Sequence, residues 1–206
     1  MTTPLEALAK FSRQDPTPEY FVRFFAEVND EKNERGAVIL LGSNAELCLR
    51  YAIKRHLVTA DDVDWMLFYG PLRGFEAKIR IGFTMGLYGR ETKHNLDCIK
   101  AIRNAFAHAV IPISFETPEV RAAVEIMTMP EILPPKAVDE TGKPRGILGE
   151  FPTTRKRFQK ICEAVTHNLF VFCLISGIQV ASRGYRFRSS SGVSLHSPRS
   201  AAPRPW

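Results

Sequence analysis

A short segment near the middle of the chain, residues 103–108, carries the residue types that could do chemistry. It places a cation (Arg103), a carboxamide (Asn104) and an imidazole (His108) within about one and a half turns of a predicted helix. The residues around them are mostly apolar, and a polar group buried without a partner costs about 1–3 kcal/mol. The segment therefore predicts either internal polar partners for these side chains or a ligand that they bind.

Arg103 and the other two residues point in different directions on a helical wheel. Arg103 falls in the sector of the apolar residues, whereas Asn104 and His108 lie one turn apart on a neighbouring face. A guanidinium at the edge of a core favours a carboxylate partner. Glu46 is the best candidate, because it is the only acid in a long apolar segment, and Arg50, four residues later, competes for it. The sequence predicts a structural pair, Glu46–Arg103 or Glu46–Arg50.

The same three residues could instead cleave a phosphodiester without a metal. His108 would activate a ribose hydroxyl, because imidazole titrates near neutral pH. Arg103 would stabilise the charge of the phosphorane, and Asn104 would orient either group. One histidine cannot easily act as both acid and base, so two apposed chains would make a stronger site. Lys78, on another predicted helix, is expected on a solvated face, although it could line the same groove or pair with a ligand.

The cysteines, and the histidines other than His108, form no recognisable site. The four cysteines occur singly in apolar segments, which predicts buried, reduced thiols: Cys48, Cys98, Cys162 and Cys173. The other histidines match no metal spacing and are expected at the surface or at helix ends: His56, His94, His167 and His196. We therefore expect neither a metal nor a cofactor.

Helical periodicity runs through almost the whole chain, and no alternation typical of strands is present. The predicted helices are Glu19–Asn33, Arg35–Leu57, a short one at Thr59–Phe68, Phe75–Tyr88, Glu91–Val110, Thr117–Met127 and Thr153–Ser182. The second is apolar on nearly every side, which is typical of a central, buried helix. A loop rich in proline and glycine is expected at residues 130–152, with a hairpin near residue 141. The fold class is all-α, a compact helical bundle of about six helices.

Length and charge indicate one domain with two appendages. The chain has 206 residues and a formal net charge of +6, but five arginines and no acid lie from residue 183 onward. Removing these five leaves +1 for the rest, so the body is nearly neutral and any nucleic-acid binding would be weak and confined to the tail. We expect an N-terminal arm (1–16), a domain (17–183) and a disordered basic tail (184–206). Without a signal region or a membrane-spanning apolar run, we expect a cytoplasmic protein that does not bind membranes.

Three blocks of sequence together resemble the mannitol operon repressor (MltR-like) family of small all-α bacterial proteins. They are the helix from residue 35 that contains Glu46, the segment 69–87 that contains Lys78, and the segment 96–108. The resemblance implies a role in transcriptional regulation. The sequence has no helix-turn-helix with a basic recognition helix, so direct DNA binding by the body is not expected. We expect a non-catalytic regulatory protein that acts through a protein partner or as a homodimer.

The third block also resembles the Arg-x(4–6)-His motif of HEPN-type helical ribonucleases and toxins. That resemblance implies that Arg103 and His108 are a catalytic pair and that Asn104 is their polar companion. The alternative function is therefore a metal-independent endoribonuclease. The sequence leaves open whether the protein is an enzyme.

Overall fold

The computed structural model describes residues 3–57, 62–130 and 151–182, which form eight α-helices and no strand. The helices are α1 (Pro4–Ser12), α2 (Pro18–Asp30), α3 (Glu34–His56), α4 (Asp62–Phe68), α5 (Phe75–Thr84), α6 (Arg90–His108), α7 (Pro118–Glu125) and α8 (Thr154–Ser182). The predicted all-α bundle is confirmed, with eight helices in place of about six. The predictions for Thr59, for residues 131–150 with their hairpin, and for the tail lie outside the described residues.

Polar side chains fix the starts of the longer helices. Thr17 accepts a hydrogen bond from the amide of Tyr20, and Asn33 accepts from the amides that open α3. Thr153 does the same for the amide of Lys156 at the start of α8. Such caps satisfy amides that have no partner inside the helix. They explain why α2, α3 and α8 begin within a residue of where the sequence predicts.

Helix α3 is the centre of the bundle, as its all-round apolar pattern predicts. It packs against α8, α6, α5 and α2, and its buried side chains include Val38, Leu41, Leu49 and Ile53. By length and composition α3 could also cross a membrane, but 61% of its most apolar stretch is buried inside the bundle. Burial among other helices accounts for its hydrophobicity.

A row of aromatic rings joins α6 to α8 through the segment that precedes α7. The ring centroids of Phe106 and Phe115 lie 5.5 Å apart, and those of Phe115 and Phe158 lie 5.7 Å apart. All three rings are fully buried. The side chain of Asn95 on α6 bonds both backbone groups of Thr128, which anchors the chain after α7. These contacts hold α6, which carries residues 103–108, rigidly against the core.

The predicted roles of two glycines and one helix end need correction. Helix α5 ends at Thr84, four residues before the predicted Tyr88, because Gly86 adopts a left-handed conformation with φ +71°. Gly86 was expected to permit close packing, but an added Cβ would meet nothing within 4 Å. Gly82 does permit close packing, but the groups that pack against it are the side chains of Tyr88 and Leu49 and not the backbone of another helix. Its Cβ would lie 2.9 Å from the hydroxyl of Tyr88.

Other helix ends and the N-terminal arm also differ from prediction. Helix α2 ends at Asp30, three residues before the predicted Asn33, and α7 spans Pro118–Glu125 where Thr117–Met127 was predicted. Helix α6 ends at His108, two residues before the predicted Val110, and Pro112 follows shortly after. The N-terminal arm contains helix α1, which the sequence analysis did not predict. Arg13, just after α1, places its guanidinium over the rings of Phe68 and Tyr69 and so joins the arm to the end of α4.

Candidate functional site

Three helices meet at the carboxylate of Glu46. One oxygen, Oε1, lies 2.7 Å from Nζ of Lys78 on α5, and the other, Oε2, lies 3.4 Å from Nη2 of Arg103 on α6. Lys78 also donates a hydrogen bond of 2.7 Å to the backbone oxygen of Arg73, just before α5. One acid on the central helix therefore binds the cations of two neighbouring helices, and we call these three residues the Glu46 network.

The members of the Glu46 network differ in burial. The side chain of Lys78 is 5% exposed, that of Glu46 is 22% exposed and that of Arg103 is 29% exposed. The expectation that Lys78 lies on a solvated face is therefore wrong, whereas Arg80 is exposed and pairs with Glu76. Helical periodicity cannot reveal this difference, because the burial of a lysine depends on a carboxylate from another helix.

The close approach of α6 to α3 depends on Gly42, one turn before Glu46. A Cβ added to Gly42 would lie 2.8 Å from Cβ and 2.7 Å from Cγ of Arg103. Real side chains do not approach so closely, so the aliphatic part of Arg103 occupies the space that a larger residue would need. Gly42 thus sets the position from which the guanidinium reaches Glu46. The sequence gives no sign of this role, since a glycine inside an apolar helix has no distinctive pattern.

The predicted site residues of α6 separate into two groups. Arg103 donates from Nη1 to Oδ1 of Asn104 at 3.0 Å, so these neighbours are in contact. His108 is exposed in the last turn of α6, and the described residues give it no hydrogen bond. The structure thus gathers Arg103, Asn104, Glu46 and Lys78 and leaves His108 at the surface.

Arg50, the competing partner for Glu46, reaches in another direction. Its Nη2 donates to the backbone oxygen of Gln14 at 3.0 Å, and its guanidinium lies 4.7 Å from the ring centre of Phe68. Burial lowers the pKa of Arg50, and the charges of Asp15 and Glu46 oppose this shift. Arg50 therefore holds the segment after α1 against α3 and α4.

Arg50 also lines a cleft of about 650 Å³ where the segment between α1 and α2 meets α2, α3 and α4. We call it the α2–α3 cleft. Its lining also includes Glu46 and Lys78, so two of the three members of the Glu46 network form part of its wall. The wall contains aromatic rings as well, those of Phe24 and Phe68 among them. The cleft combines apolar surface with a few polar groups, which is typical of small-molecule sites.

A buried amide that the sequence analysis did not single out lines this cleft. Asn44 is 2% exposed, and its Oδ1 accepts a hydrogen bond of 3.1 Å from the hydroxyl of Tyr20. Burial raises the pKa of Tyr20 to about 12, so the hydroxyl stays protonated and can donate. Among the described residues, Nδ2 of Asn44 has no hydrogen-bond partner. The available signal was a carboxamide within the apolar pattern of α3.

The other titratable candidates behave mostly as predicted. All four cysteines are buried and unpaired, and burial raises the pKa of each thiol. His56 lies 2.8 Å from the backbone oxygen of Ala52, His94 and His167 are exposed, and His196 lies outside the described residues. Within the described ranges, no three histidine, cysteine or acidic side chains gather where they could hold a metal ion.

Comparison with known protein families, with curated proteins and with solved structures found no match for this chain. The resemblances to the mannitol operon repressor family and to HEPN-type ribonucleases therefore depend on their sequence motifs alone.

Proposed function

We propose that this protein is a non-catalytic bacterial regulatory protein that acts through a protein partner in transcriptional regulation, as the resemblance to the mannitol operon repressor family implies. The observation that carries this proposal is the pairing of Arg103 with Glu46. A guanidinium that must stabilise a phosphorane needs donors that are free to meet it. Here Nη2 faces the carboxylate of Glu46 and Nη1 faces Asn104.

The carboxylate also works against a phosphate ligand at this position. Glu46 presents a negative charge 3.4 Å from the guanidinium, where a phosphate oxygen would otherwise bind. Lys78 does not replace the lost donor, because its side chain is nearly fully buried between Glu46 and the backbone of Arg73. Of the motif residues, Arg103 is thus engaged in holding α6 against α3, where Glu46 also holds Lys78 of α5, and this favours a structural role for the arginine.

Exposed apolar side chains at the end of α6 give a partner a contact surface. Val110 is 99% exposed and Ile111 is 70% exposed, two and three residues beyond His108. Burying adjacent apolar side chains that are this exposed makes the free energy of association with another protein more favourable. A second copy of the chain could be that partner, which sedimentation velocity would detect as a concentration-dependent dimer.

A metal-independent endoribonuclease is the second candidate, and one contact favours it. Asn104 touches Arg103 and shares its exposed helix face with His108. Two chains that met through Val110 and Ile111 would bring two copies of His108 near each other and so supply both an acid and a base. In that assembly Arg103 would have to exchange Glu46 for the phosphate.

An RNA cleavage assay distinguishes the regulatory function from the ribonuclease function directly. Purified protein is incubated with total RNA and with tRNA in the presence of EDTA, alongside the His108→Ala variant. We expect no cleavage by the folded wild type. Cleavage that is lost in His108→Ala would overturn the regulatory proposal and establish the ribonuclease.

A test in cells addresses the regulatory role itself. Transcripts are compared between cells that lack the protein and cells complemented with wild type, with His108→Ala, or with a Val110→Asp, Ile111→Asp double variant. We expect His108→Ala to restore the wild-type transcript pattern and the double variant to fail. Failure of His108→Ala with success of the double variant would contradict a role through the partner surface.

A further inference from the structure

We propose that the α2–α3 cleft is a binding site for a small, uncharged ring compound that carries a hydrogen-bond acceptor, such as an aromatic or heterocyclic amide. The acceptor would lie against Nδ2 of Asn44. No step of the proposed regulatory role or of the ribonuclease alternative uses this cleft, so the ligand site stands apart from both.

The need for an acceptor follows from Asn44. The residue is 2% exposed, its Oδ1 is already bonded by Tyr20, and among the described residues Nδ2 has no partner. A buried donor without a partner is costly and rare in folded proteins. Nδ2 itself is buried, but the same side chain lines the cleft, so a carbonyl oxygen or ring nitrogen that pushed in beside it would supply the missing acceptor.

The absence of net charge follows from the charges around the cleft. Its lining contains three cations and three carboxylates, which are Arg50, Arg73, Lys78, Asp15, Glu27 and Glu46. Lys78 is paired with Glu46. The negative charges of Asp15 and Glu46 both attract the guanidinium of Arg50. A ligand with a net charge would find no excess of opposite charge and would lose its own hydration. The cleft therefore favours a neutral compound over an anion such as a nucleotide.

The volume of the α2–α3 cleft and the aromatic side chains that line it favour a ligand that contains a ring. A volume of about 650 Å³ suits a small organic molecule, and the rings of Tyr20, Phe24 and Phe68 contribute apolar faces. Aromatic rings pack favourably in stacked or edge-on arrangements with other rings. The guanidinium of Arg50 already covers Phe68, which leaves Tyr20 and Phe24, themselves stacked with centroids 5.6 Å apart, beside Asn44.

Three nearly isosteric probes test the proposal by NMR on the full chain. Benzamide is neutral and has an acceptor, benzoate is an anion, and benzamidinium is a cation. We expect benzamide to shift the side-chain amide signals of Asn44 saturably, and the two charged probes to bind at least about fivefold more weakly. Unmoved Asn44 signals at the highest soluble benzamide concentration, or equal binding of the three probes, would overturn the proposal.

A matched pair of variants tests the role of the amide. Asn44→Leu keeps the size of the side chain but removes the donor, and we expect it to weaken benzamide binding about fivefold. Asn29→Leu, on α2 but outside the cleft, should bind like wild type. Unchanged affinity in Asn44→Leu would overturn the assignment. If Asn44→Leu does not fold, the Asn44 signals of the wild type decide, and neither result depends on the regulatory role.

Discussion

The carboxylate of Glu46 lies 2.7 Å from the ammonium of Lys78, a side chain that the bundle buries almost completely. A buried ammonium persists only where hydrogen-bonding partners replace its lost hydration. Glu46 supplies one partner, and the backbone oxygen of Arg73 supplies another. The second oxygen of Glu46 also pairs with Arg103. One glutamate on α3 therefore helps to position both α5 and α6 against the central helix.

Replacing Lys78 should therefore destabilise the fold. In Lys78→Met, Glu46 keeps only the longer contact to Arg103, and we expect the free energy of unfolding to fall by about 2–4 kcal/mol. Thermal denaturation should show a Tm lower by roughly 5–15 °C. The control is Arg80→Met on the same helix, which removes an exposed pair with Glu76 and should cost less than about 1 kcal/mol. Equal losses in the two variants would contradict the stabilising role of Glu46.

Gly42→Ala should destabilise the protein even though alanine favours helix by about 1 kcal/mol. The new methyl would lie under 3 Å from two carbons of Arg103 and force α6 away from α3. We expect a net loss of about 1–3 kcal/mol in urea denaturation. Gly89→Ala is the control, because nothing lies within 4 Å of that position. A variant of Gly42 as stable as wild type would show that the two helices do not depend on this close contact.

Arg103 and His108 should respond differently to truncation. Arg103→Ala removes the contact with Glu46 and the packing on Gly42, so its Tm should fall by several degrees. His108→Ala removes an exposed side chain and should leave Tm within about 1–2 °C of wild type. Differential scanning calorimetry on both proteins measures this. An unchanged Tm in Arg103→Ala would favour the ribonuclease over the structural interpretation of the motif.

Stability should fall in acid partly through Glu76. Hydrogen bonds from Lys100 and Arg80 lower the pKa of this carboxyl from 4.5 to about 2. A pKa that is lower in the folded state stabilises the fold above pH 4.5, and this contribution is lost as pH falls from there towards 2. Over this window, Glu76→Gln should lose stability less steeply than wild type in urea denaturation. Glu125→Gln, at an exposed site, should follow the wild-type curve.

The four thiols should resist alkylation in the native protein. Cys48 and Cys162 are fully buried, and burial raises the pKa of both, so neither the access nor the thiolate that iodoacetamide needs is present. Mass spectrometry should find little modification of the folded protein and four modified cysteines after unfolding. Cys98, the most exposed of the four, should react first. Rapid labelling of Cys48 would show that the core opens around α3.

Local chemistry made most of the helices predictable from the sequence. The apolar periodicity of α3 and α8 acts within a few residues, so it can be read without tertiary contacts. The caps at Thr17, Asn33 and Thr153 are equally local but were not predicted, and Asn33 was placed at the end of the preceding helix. The end of α5 was missed because Gly86 reads equally well as a packing glycine or as a left-handed helix end. Helix α1 was missed because its apolar residues stay exposed and give it no core to match.

The candidate site was predictable only in part. The sequence by itself determined that Arg103 needed a carboxylate and that Glu46, the only acid in its apolar segment, was the best one available, since both inferences follow from the cost of burying charge. Only the tertiary structure decided that Lys78 is the buried cation and that Arg50 turns to Gln14. It alone also revealed that Nδ2 of Asn44 has no partner among the described residues. Pairing and burial arise between helices distant in sequence, and no local pattern records which side chains meet there.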